Sequence, residues 1–390
     1  MPPAIVWVAL ALAALGHGFI WTGAVNRLHG FSGPRPLIKS ITWAMIAAFA
    51  AIPLWIGWRA WTSGLAAATP FETKDLLGAY LSFAAIVGAA ALMVKPWIER
   101  QRYNRSVLLE WNCDFCNPPA GTSGLLVGAL PRLLGLLPFN EAASLSVDRK
   151  QLALPRLPTE LNGLTIVHLS DLHMTGQLGR DYYLWLAREV NALRPDAIAI
   201  TGDIIENESC RAWLKESLGQ LCAPLGVFFI LGNHDAFIDA DRTRAELAQL
   251  GLTCLSGRWV RAEWNGVRVL LGGNELPWMS PPASAGELAA RMPERAEFRL
   301  VLCHTPDQFA WCQHVDADLA LAGHTHGGQV QLPLLGVIAS PSRHGARYAC
   351  GVFRRGDTVL HVTRGIGGET PLRWRCPPEI SLLTLSRAAD

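Results

Sequence analysis

Residues 319–329, LALAGHTHGGQ, end a short apolar run in a glycine and then place two histidines two positions apart. A short apolar run bounded by glycine is typical of a buried strand that leads into a loop. His324 and His326 therefore stand at the mouth of a predicted strand, where local geometry can aim both imidazoles at one place. Neutral imidazole is the commonest metal-ligating side chain, so this stretch predicts a metal site if the rest of the chain supplies partners.

The same arrangement recurs at other predicted strands of the second half of the chain. The sequence predicts strands at residues 164–169, 197–201, 227–231, 267–271, 300–303 and 319–322, and helices at residues 180–193, 210–221 and 241–250. Five of these strands end in residues that can bind metal or move a proton, namely Asp171 and His173, Asp203, Asn233 to Asp235, His304, and the opening pair. One polar strand end is usually a turn former or a helix cap. Five together favour a single site at the carboxyl ends of an α/β sheet.

The first hundred residues have a different character. The whole chain is 50% hydrophobic and only 17% charged, against about 25% charged residues in ordinary soluble domains. Apolar stretches at about residues 4–25, 41–58 and 76–97 are long enough to cross a bilayer, which takes roughly 20 apolar residues. The first could be a signal peptide, but it begins without Lys or Arg and two further spans follow it. No acidic or basic residue lies in the middle of a span, which favours an anchor over a transporter.

Basic residues predict the orientation of these spans. They concentrate in the first loop and after the third span, as Arg27, Arg35, Lys39, Lys95, Arg100, Arg102 and Arg105. The second loop holds only Arg59 and Lys74, balanced by Glu72 and Asp75. The positive-inside rule therefore places the first loop and everything after residue 98 in the cytoplasm of a cell with an inner membrane.

The expected organisation is a membrane domain at residues 1–98, a juxtamembrane linker at 99–158 and a catalytic domain at 159–390. Within the linker, residues 125–137 are apolar but too short to span, so they lie on the bilayer surface or pack on the soluble domain. Cys113 and Cys116 form one close pair among nine cysteines. A zinc site needs about four ligands, and no second pair is near, so a structural or incidental role is favoured. The scattered, odd-numbered cysteines favour a reducing compartment, and a net charge of +2 argues against a nucleic-acid partner.

Together these motifs resemble those of the calcineurin-like metallophosphoesterase family. The matching residues are Asp171-x-His173, Gly202-Asp203, Gly232-Asn233-His234-Asp235, His304 and Gly323-His324-x-His326. The resemblance covers about residues 160–385 and implies a four-layer α/β/β/α sandwich with its site at one edge of two sheets. The glycines and glutamine after His326, and Pro377-Pro378-Glu379-Ile380, resemble the bacterial membrane-associated branch, which includes YkuE-like phosphoesterases and a UDP-2,3-diacylglucosamine pyrophosphatase.

The resemblance also implies roles for these residues. Asp171, His173 and His326 would bind a first metal ion, Asn233, His304 and His324 a second, and Asp203 would bridge both. His234 would contact the phosphate and protonate the leaving group. Glu206, where the family often has an Asp, or Asp235 would support that histidine. The protein-phosphatase branch has Arg after this acidic position, and Asn207 here argues against protein phosphatase activity.

Phosphoryl transfer needs charge neutralisation and in-line positioning, which two divalent ions about 3.5–4 Å apart can provide. Nitrogen and oxygen ligands without thiolate suit Mn²⁺ first, with Fe or Zn²⁺ as alternatives. A water between two cations would ionise near neutral pH, so no Ser or Cys nucleophile is required.

Four arginines downstream of the motifs, Arg343, Arg347, Arg364 and Arg373, could meet phosphate or lipid head groups, or could form salt bridges instead. The leading hypothesis is a membrane-anchored phosphohydrolase that contacts the lipid bilayer and acts on a phosphorylated lipid or lipid-linked sugar nucleotide. The alternatives are a phosphodiesterase for a soluble substrate such as a nucleotide, and a non-catalytic membrane scaffold or sensor.

Overall fold

The computed structural model describes residues 3–63, 76–116, 125–279, 281–286 and 298–388. The chain forms two compact units. Unit 1 comprises Met1–Arg100 and Leu332–Arg347, and unit 2 comprises Gln101–Gln331 and Tyr348–Asp390. Lys74, Glu72 and Asp75, used above for the orientation argument, lie outside the described residues.

Unit 1 contains three long apolar helices, α1 (Pro3–His29), α2 (Arg35–Ser63) and α3 (Leu76–Gln101). All three are long and apolar enough to cross a membrane. Helix α2 begins before the expected residue 41, because Pro36 occupies its first turn, where a missing backbone N–H costs nothing. Inside the bundle, His17 Nε2 lies 3.0 Å from the carbonyl oxygen of Phe49, and its Nδ1 lies 2.5 Å from the Tyr80 hydroxyl. Both ring nitrogens of His17 therefore have hydrogen-bonding partners within the helices.

The segment Leu332–Arg347 also belongs to unit 1. Asn26 at the end of α1 donates to the carbonyl oxygen of Ile338 at 2.9 Å and accepts from the backbone N–H of Ser340 at 2.9 Å. Lys95 of α3 donates to the carbonyl oxygen of Val337. Buried side chains of two helices thus hold this segment by its backbone.

Unit 2 is built on two mixed sheets. The seven-stranded sheet consists, in spatial order, of β1 (Leu108–Cys116), β2 (Leu145–Leu154), β15 (Glu379–Arg387), β3 (Thr165–Leu169), β4 (Ala197–Thr201), β5 (Val227–Ile230) and β6 (Thr253–Cys254). The six-stranded sheet consists of β13 (Gly351–Arg355), β14 (Thr358–Val362), β10 (Leu319–Ala322), β9 (Phe298–Cys303), β8 (Val267–Asn274) and β7 (Trp259–Trp264). A short pair, β11 (Gln331–Leu332) and β12 (Gly336–Val337), stands apart from both sheets.

The sheets face each other across an apolar core to which Ile166 and Phe228 of one sheet and Leu271, Leu300 and Leu319 of the other contribute. The outer face of the seven-stranded sheet is covered by α5 (Arg180–Ala192), α6 (Ala212–Glu216) and α7 (Ala240–Gln249). The outer face of the six-stranded sheet is covered by α8 (Phe309–His314). This is the α/β/β/α sandwich that the resemblance to the calcineurin-like family implied.

Two local features differ from expectation. Residues 99–158, expected as a linker, supply β1 and β2, and β2 pairs in parallel with β15 in the sheet. The helix expected at residues 210–221 is reduced to α6, flanked by 3-10 turns. Ser217 Oγ donates to the carbonyl oxygen of Trp213 at 2.6 Å, a local bond that competes with continued helix.

The segment before β2 contains a short helix, α4 (Ala129–Gly135). Its leucines Leu130 and Leu133 are exposed.

Candidate metal centre

The predicted site residues follow strands of both sheets. Three of these strands, β3, β4 and β5, are parallel neighbours in one sheet, and β9 and β10 are parallel neighbours in the other. The loops meet across the gap, because the backbone N–H of His324 after β10 donates to Asp171 Oδ1 and Oδ2 after β3, each at 2.9 Å. The edge where the two sheets meet therefore gathers all five strand ends.

One cluster of potential ligands consists of Asp171, His173, Asp203 and His326, whose ligand atoms lie within 4.8 Å of one another. His173 Nε2 lies 3.1 Å from His326 Nε2 and 3.6 Å from Asp203 Oδ2. His326 Nε2 lies 3.6 Å from Asp171 Oδ1. Two ligands bound at tetrahedral angles to one ion, each at the usual bond length, would lie about 3.4 Å apart, so these separations fit a shared metal ion.

A second cluster consists of Asp203, His304 and His324, also within 4.8 Å. Asn233 Oδ1 lies 2.9 Å from His304 Nε2, which in turn lies 3.3 Å from Asp203 Oδ2. Asp203 belongs to both clusters. The geometry therefore suits two ions that share one carboxylate.

Buried polar atoms without hydrogen-bond partners show whether these residues fit metal ions. Asp203 Oδ2 and His324 Nε2 are buried, and neither has a hydrogen-bond partner of sound geometry among the described residues. An unpaired buried polar atom costs free energy, and a ligand bond to an ion would remove that cost. Burial, with the neighbouring His304, holds the pKa of His324 well below its usual range, so the imidazole is neutral and able to bind metal. The donor set thus fits a dinuclear divalent metal site.

The backbone at these positions is unusual. Asp171, His173, Asp203, His324 and His326 all have positive φ, between 46° and 69°. Non-glycine residues rarely occupy this left-handed region, and such strain clusters at functional sites. Gly232 lets Asp203 and His304 lie close to its backbone. A Cβ at this position would lie 2.2 Å from Asp203 Oδ1 and 2.5 Å from His304 Cε1.

Glu206 joins two histidines at the rim of the clusters. One of its carboxylate oxygens contacts His173 Nδ1, and the other lies 2.9 Å from His234 Nδ1. Burial disfavours the Glu206 carboxylate, but the hydrogen bonds with His173 and His234 outweigh it and lower its pKa to about 2. Burial likewise lowers the pKa of His234, yet the charge of Asp203 and the pairing with Glu206 raise it to about 9. Glu206 thus fixes the orientation of one candidate ligand and of the candidate acid.

Asp235, the other candidate to support His234, is placed differently. Its buried carboxylate accepts from the backbone N–H groups of Ile204, Ile205 and Gly232 at 2.8–3.0 Å. Asp235 therefore ties the loop after β4 to the loop after β5. Of the two acidic residues, Glu206 contacts His234 Nδ1, whereas Asp235 accepts from backbone N–H groups.

Two of the four arginines, Arg364 and Arg373, belong to the unit that contains these clusters. Arg343 and Arg347 belong to unit 1, where Arg343 Nε donates to the carbonyl oxygen of Gly30 at 3.2 Å. In unit 2, Arg364 is buried and pairs with Asp148 at 2.9 Å and Glu379 at 3.2 Å. Arg373 is buried and donates to the backbone carbonyls of Arg364 and Gly367. The last two support loops through salt bridges and backbone contacts.

Two further residues border the clusters, and nothing in the sequence marked them. Glu369 Oε1 lies 3.9 Å from His234 Nδ1. Trp278 lies with its ring centroid 4.6 Å from that of His324 and 5.6 Å from that of His304. Neither residue stands directly at the end of a predicted strand or in one of the motifs that carry the resemblance. Cys113 and Cys116 join no metal-ligand cluster among the residues that the structure describes.

Comparison with known proteins agrees with this geometry. The family described as calcineurin-like phosphoesterase matches residues 164–328. The "Uncharacterized metallophosphoesterase YkuE" of Bacillus subtilis is 31% identical over 235 residues, 59% of this chain and 81% of that protein. "Phosphodiesterase YaeI" of Escherichia coli is 33% identical over 237 residues, 56% of this chain and 81% of that protein. "UDP-2,3-diacylglucosamine pyrophosphatase LpxG" of Chlamydia trachomatis is 26% identical over 298 residues, 61% of this chain and 88% of that protein. The chain therefore belongs to the calcineurin-like phosphoesterases and is a metal-dependent phosphohydrolase.

Proposed function

We propose that the chain is a membrane-anchored phosphohydrolase that cleaves a phosphoester or pyrophosphate bond in a phosphorylated lipid or lipid-linked sugar nucleotide. The observation that carries this proposal is the presence, in one chain, of two clusters of potential metal ligands that share Asp203 and of three helices long and apolar enough to cross a membrane. The similarity to LpxG, which is named a UDP-2,3-diacylglucosamine pyrophosphatase, supports the proposed substrate class.

In this proposal Asp171, His173 and His326 hold one ion, and Asn233, His304 and His324 hold the other. Asp203 contacts both. Mn²⁺ is the first candidate and Fe or Zn²⁺ the alternatives, because the ligands are nitrogen and oxygen atoms. When bound, two divalent ions neutralise phosphate charge and make a water a better nucleophile at neutral pH.

The chain's own residues do the remaining work. His234 carries a proton near neutral pH and donates it to the oxygen of the leaving group. Glu206 holds His234 Nδ1, which leaves Nε2 free to face the substrate, and it holds His173 in its ligating orientation at the same time. Asp235 keeps the loops that carry Asp203 and Asn233 together. Arg343 and Arg347 are kept as candidate substrate contacts.

We further propose that the helices form a multi-pass anchor in the inner membrane, with the catalytic domain on the cytoplasmic side. The support is the concentration of basic residues in the first loop and after α3. The orientation is tested with a reporter enzyme that works only outside the cytoplasm, fused after residue 388. Activity of this reporter would contradict a cytoplasmic catalytic domain.

The substrate is tested with the full chain in phospholipid nanodiscs loaded with Mn²⁺, Fe²⁺ or Zn²⁺. UDP-2,3-diacylglucosamine, bis-p-nitrophenyl phosphate and a cyclic nucleotide are compared, with Asp203→Asn as the inactive control. Preference for the lipid substrate supports the proposal. Preference for the cyclic nucleotide would favour the alternative, a phosphodiesterase that acts on a soluble substrate.

A further inference from the structure

The rim segment, residues 125–139 of unit 2, presents apolar side chains to solvent beside the metal centre. The exposed side chains are Val127, Leu130, Leu133, Leu136, Leu137 and Phe139. Two of them, Leu136 and Phe139, are each 79% exposed. Contiguous exposed apolar side chains of this kind mark an interaction surface. We propose that the rim segment inserts into the surface of an anionic bilayer and so holds the metal centre where lipid head groups can reach it.

The first end of the rim segment is fixed to the loop that follows His173. The backbone N–H of Val127 donates to the carbonyl oxygen of Gln177 at 2.8 Å, and the N–H of Gly179 donates to the carbonyl oxygen of Leu125 at 2.8 Å. Leu125 is buried against α5 and its neighbours. The exposed leucines therefore project from an anchored base and are not part of a loose loop.

The other end is fixed to the loop before β15. Asn140 Nδ2 donates to the carbonyl oxygen of Pro371 at 3.0 Å, and Asn140 Oδ1 accepts from the backbone N–H of Arg373 at 2.9 Å. The N–H of Glu141 donates to the carbonyl oxygen of Arg373 at 2.8 Å. The segment is thus held at both ends by backbone groups of neighbouring loops.

These two supporting loops border the metal centre. The carbonyl oxygen of Gly367 lies 3.3 Å from His326 Nδ1, and Glu369 approaches His234. Gln177 Nε2 donates to the carbonyl oxygen of Glu369 at 2.7 Å, which ties the two loops to each other. The apolar surface is therefore coupled through short chain segments to a candidate ligand and to the candidate acid.

Charge and chain connectivity favour a bilayer over a second copy of this chain. Arg132 is the single charged residue in residues 125–139 and is exposed. One basic side chain among leucines and a phenylalanine suits an interface of hydrocarbon and anionic head groups. Helix α3 ends at Gln101 and β1 begins at Leu108, so a bilayer around α3 keeps this domain close to a membrane surface.

The inference rests on the proposed function in one respect, that the substrate of the metal centre is a lipid. Insertion of the rim segment into a bilayer can be measured without any catalytic activity. The full chain is reconstituted in vesicles of phosphatidylcholine and phosphatidylglycerol that contain phosphatidylcholine with a diazirine on an acyl chain. After irradiation, lipid adducts are mapped by proteolysis and mass spectrometry. Adducts in the rim segment, besides those in α1 to α3, are expected. Adducts confined to the helices, or cross-links between the rim segments of two copies, would overturn the proposal.

Serine substitutions in the rim segment test whether its leucines cause the lipid labelling. Leu130→Ser, Leu133→Ser and Leu136→Ser together should reduce the rim adducts about tenfold, because each loses an apolar group from the interface. A control with Leu109→Ser and Phe115→Ser changes two exposed apolar residues of β1 and should leave the adducts unchanged. The ratio of activity on vesicle-embedded to soluble phosphodiester should fall in the triple variant. A wild type that labels but hydrolyses neither substrate would refute the proposed function and leave the membrane contact standing.

Discussion

Replacing Glu206 by glutamine tests the arrangement of the candidate acid directly. The carboxylate contacts His173 Nδ1 with one oxygen and lies 2.9 Å from His234 Nδ1 with the other. Glutamine offers one acceptor oxygen and an NH₂ group, so one of the two imidazole N–H groups would face a donor. The negative charge beside His234 would also disappear.

The size of the effect follows from the lost contact between the Glu206 carboxylate and His234 Nδ1, an ion pair at 2.9 Å. A hydrogen bond to a charged partner contributes about 1.5–3 kcal/mol, and about 1.4 kcal/mol corresponds to one pKa unit. Since Glu206 raises the pKa of His234, the substitution should lower that pKa by about one to two units. His234 then loses its proton at lower pH, and activity that needs the protonated form falls earlier as pH rises.

The assay is the pH dependence of kcat and kcat/KM for bis-p-nitrophenyl phosphate, measured on the full chain. The high-pH limb should move down by about one to two pH units. The limiting kcat should fall about 10- to 100-fold, as for other residues that orient metal ligands. Glu208→Gln is the matched control, because Glu208 pairs with Arg211 and Arg242 at the surface. A wild-type profile for Glu206→Gln, or an equal shift in the control, would refute the assigned role of Glu206.

Further predictions concern the metal ions and the fold. Gly232→Ala should abolish tight metal binding, measured as metal per purified chain, because its Cβ would lie 2.2 Å from Asp203 Oδ1, whereas Gly286→Ala has room and should bind normally. Chelation should lower the thermal midpoint and added Mn²⁺ should restore it, since saturation at a thousand times the Kd stabilises by about 4 kcal/mol; an unchanged midpoint would contradict a bound ion in the fold. Lys150→Met breaks the buried pair with Glu379 and should cost about 3–5 kcal/mol in urea unfolding, whereas Arg149→Met in the exposed pair with Asp114 should cost about 1 kcal/mol or less. An equal loss of unfolding free energy in the two variants would show that burial of the pair between Lys150 and Glu379 does not add to its effect on stability.

The strand-end residues were predictable from sequence because each signal was local. The pattern of a short apolar run followed by a glycine and a polar residue predicts a buried strand and its loop. Residues Ala197–Thr201, followed by Gly202 and Asp203, are an example. The sequence could not predict which of Glu206 and Asp235 contacts His234, because both are acidic residues in the loops that follow β4 and β5. Their difference lies in the direction of the side chain, which only the folded loops determine.

Strand β2 was missed for a different reason. Its sequence, LSVDRKQLAL, contains Asp148 and Lys150, which read as exposed, yet both are buried. Their partners, Arg364 and Glu379, lie more than two hundred positions away along the chain. The same distance hides the structural role of Arg364, for which the sequence left a phosphate contact and a salt bridge equally open.

The position of β15 between β2 and β3 has a consequence for biosynthesis. Residues 379–387 must leave the ribosome before the seven-stranded sheet can close. At ordinary translation rates, β2 waits roughly 10–50 s for its partner. During that interval the facing edges of β2 and β3 are unpaired and open to wrong partners. The helices α1 to α3 emerge much earlier, so the chain is expected to enter its membrane first and to complete the metal-binding domain there.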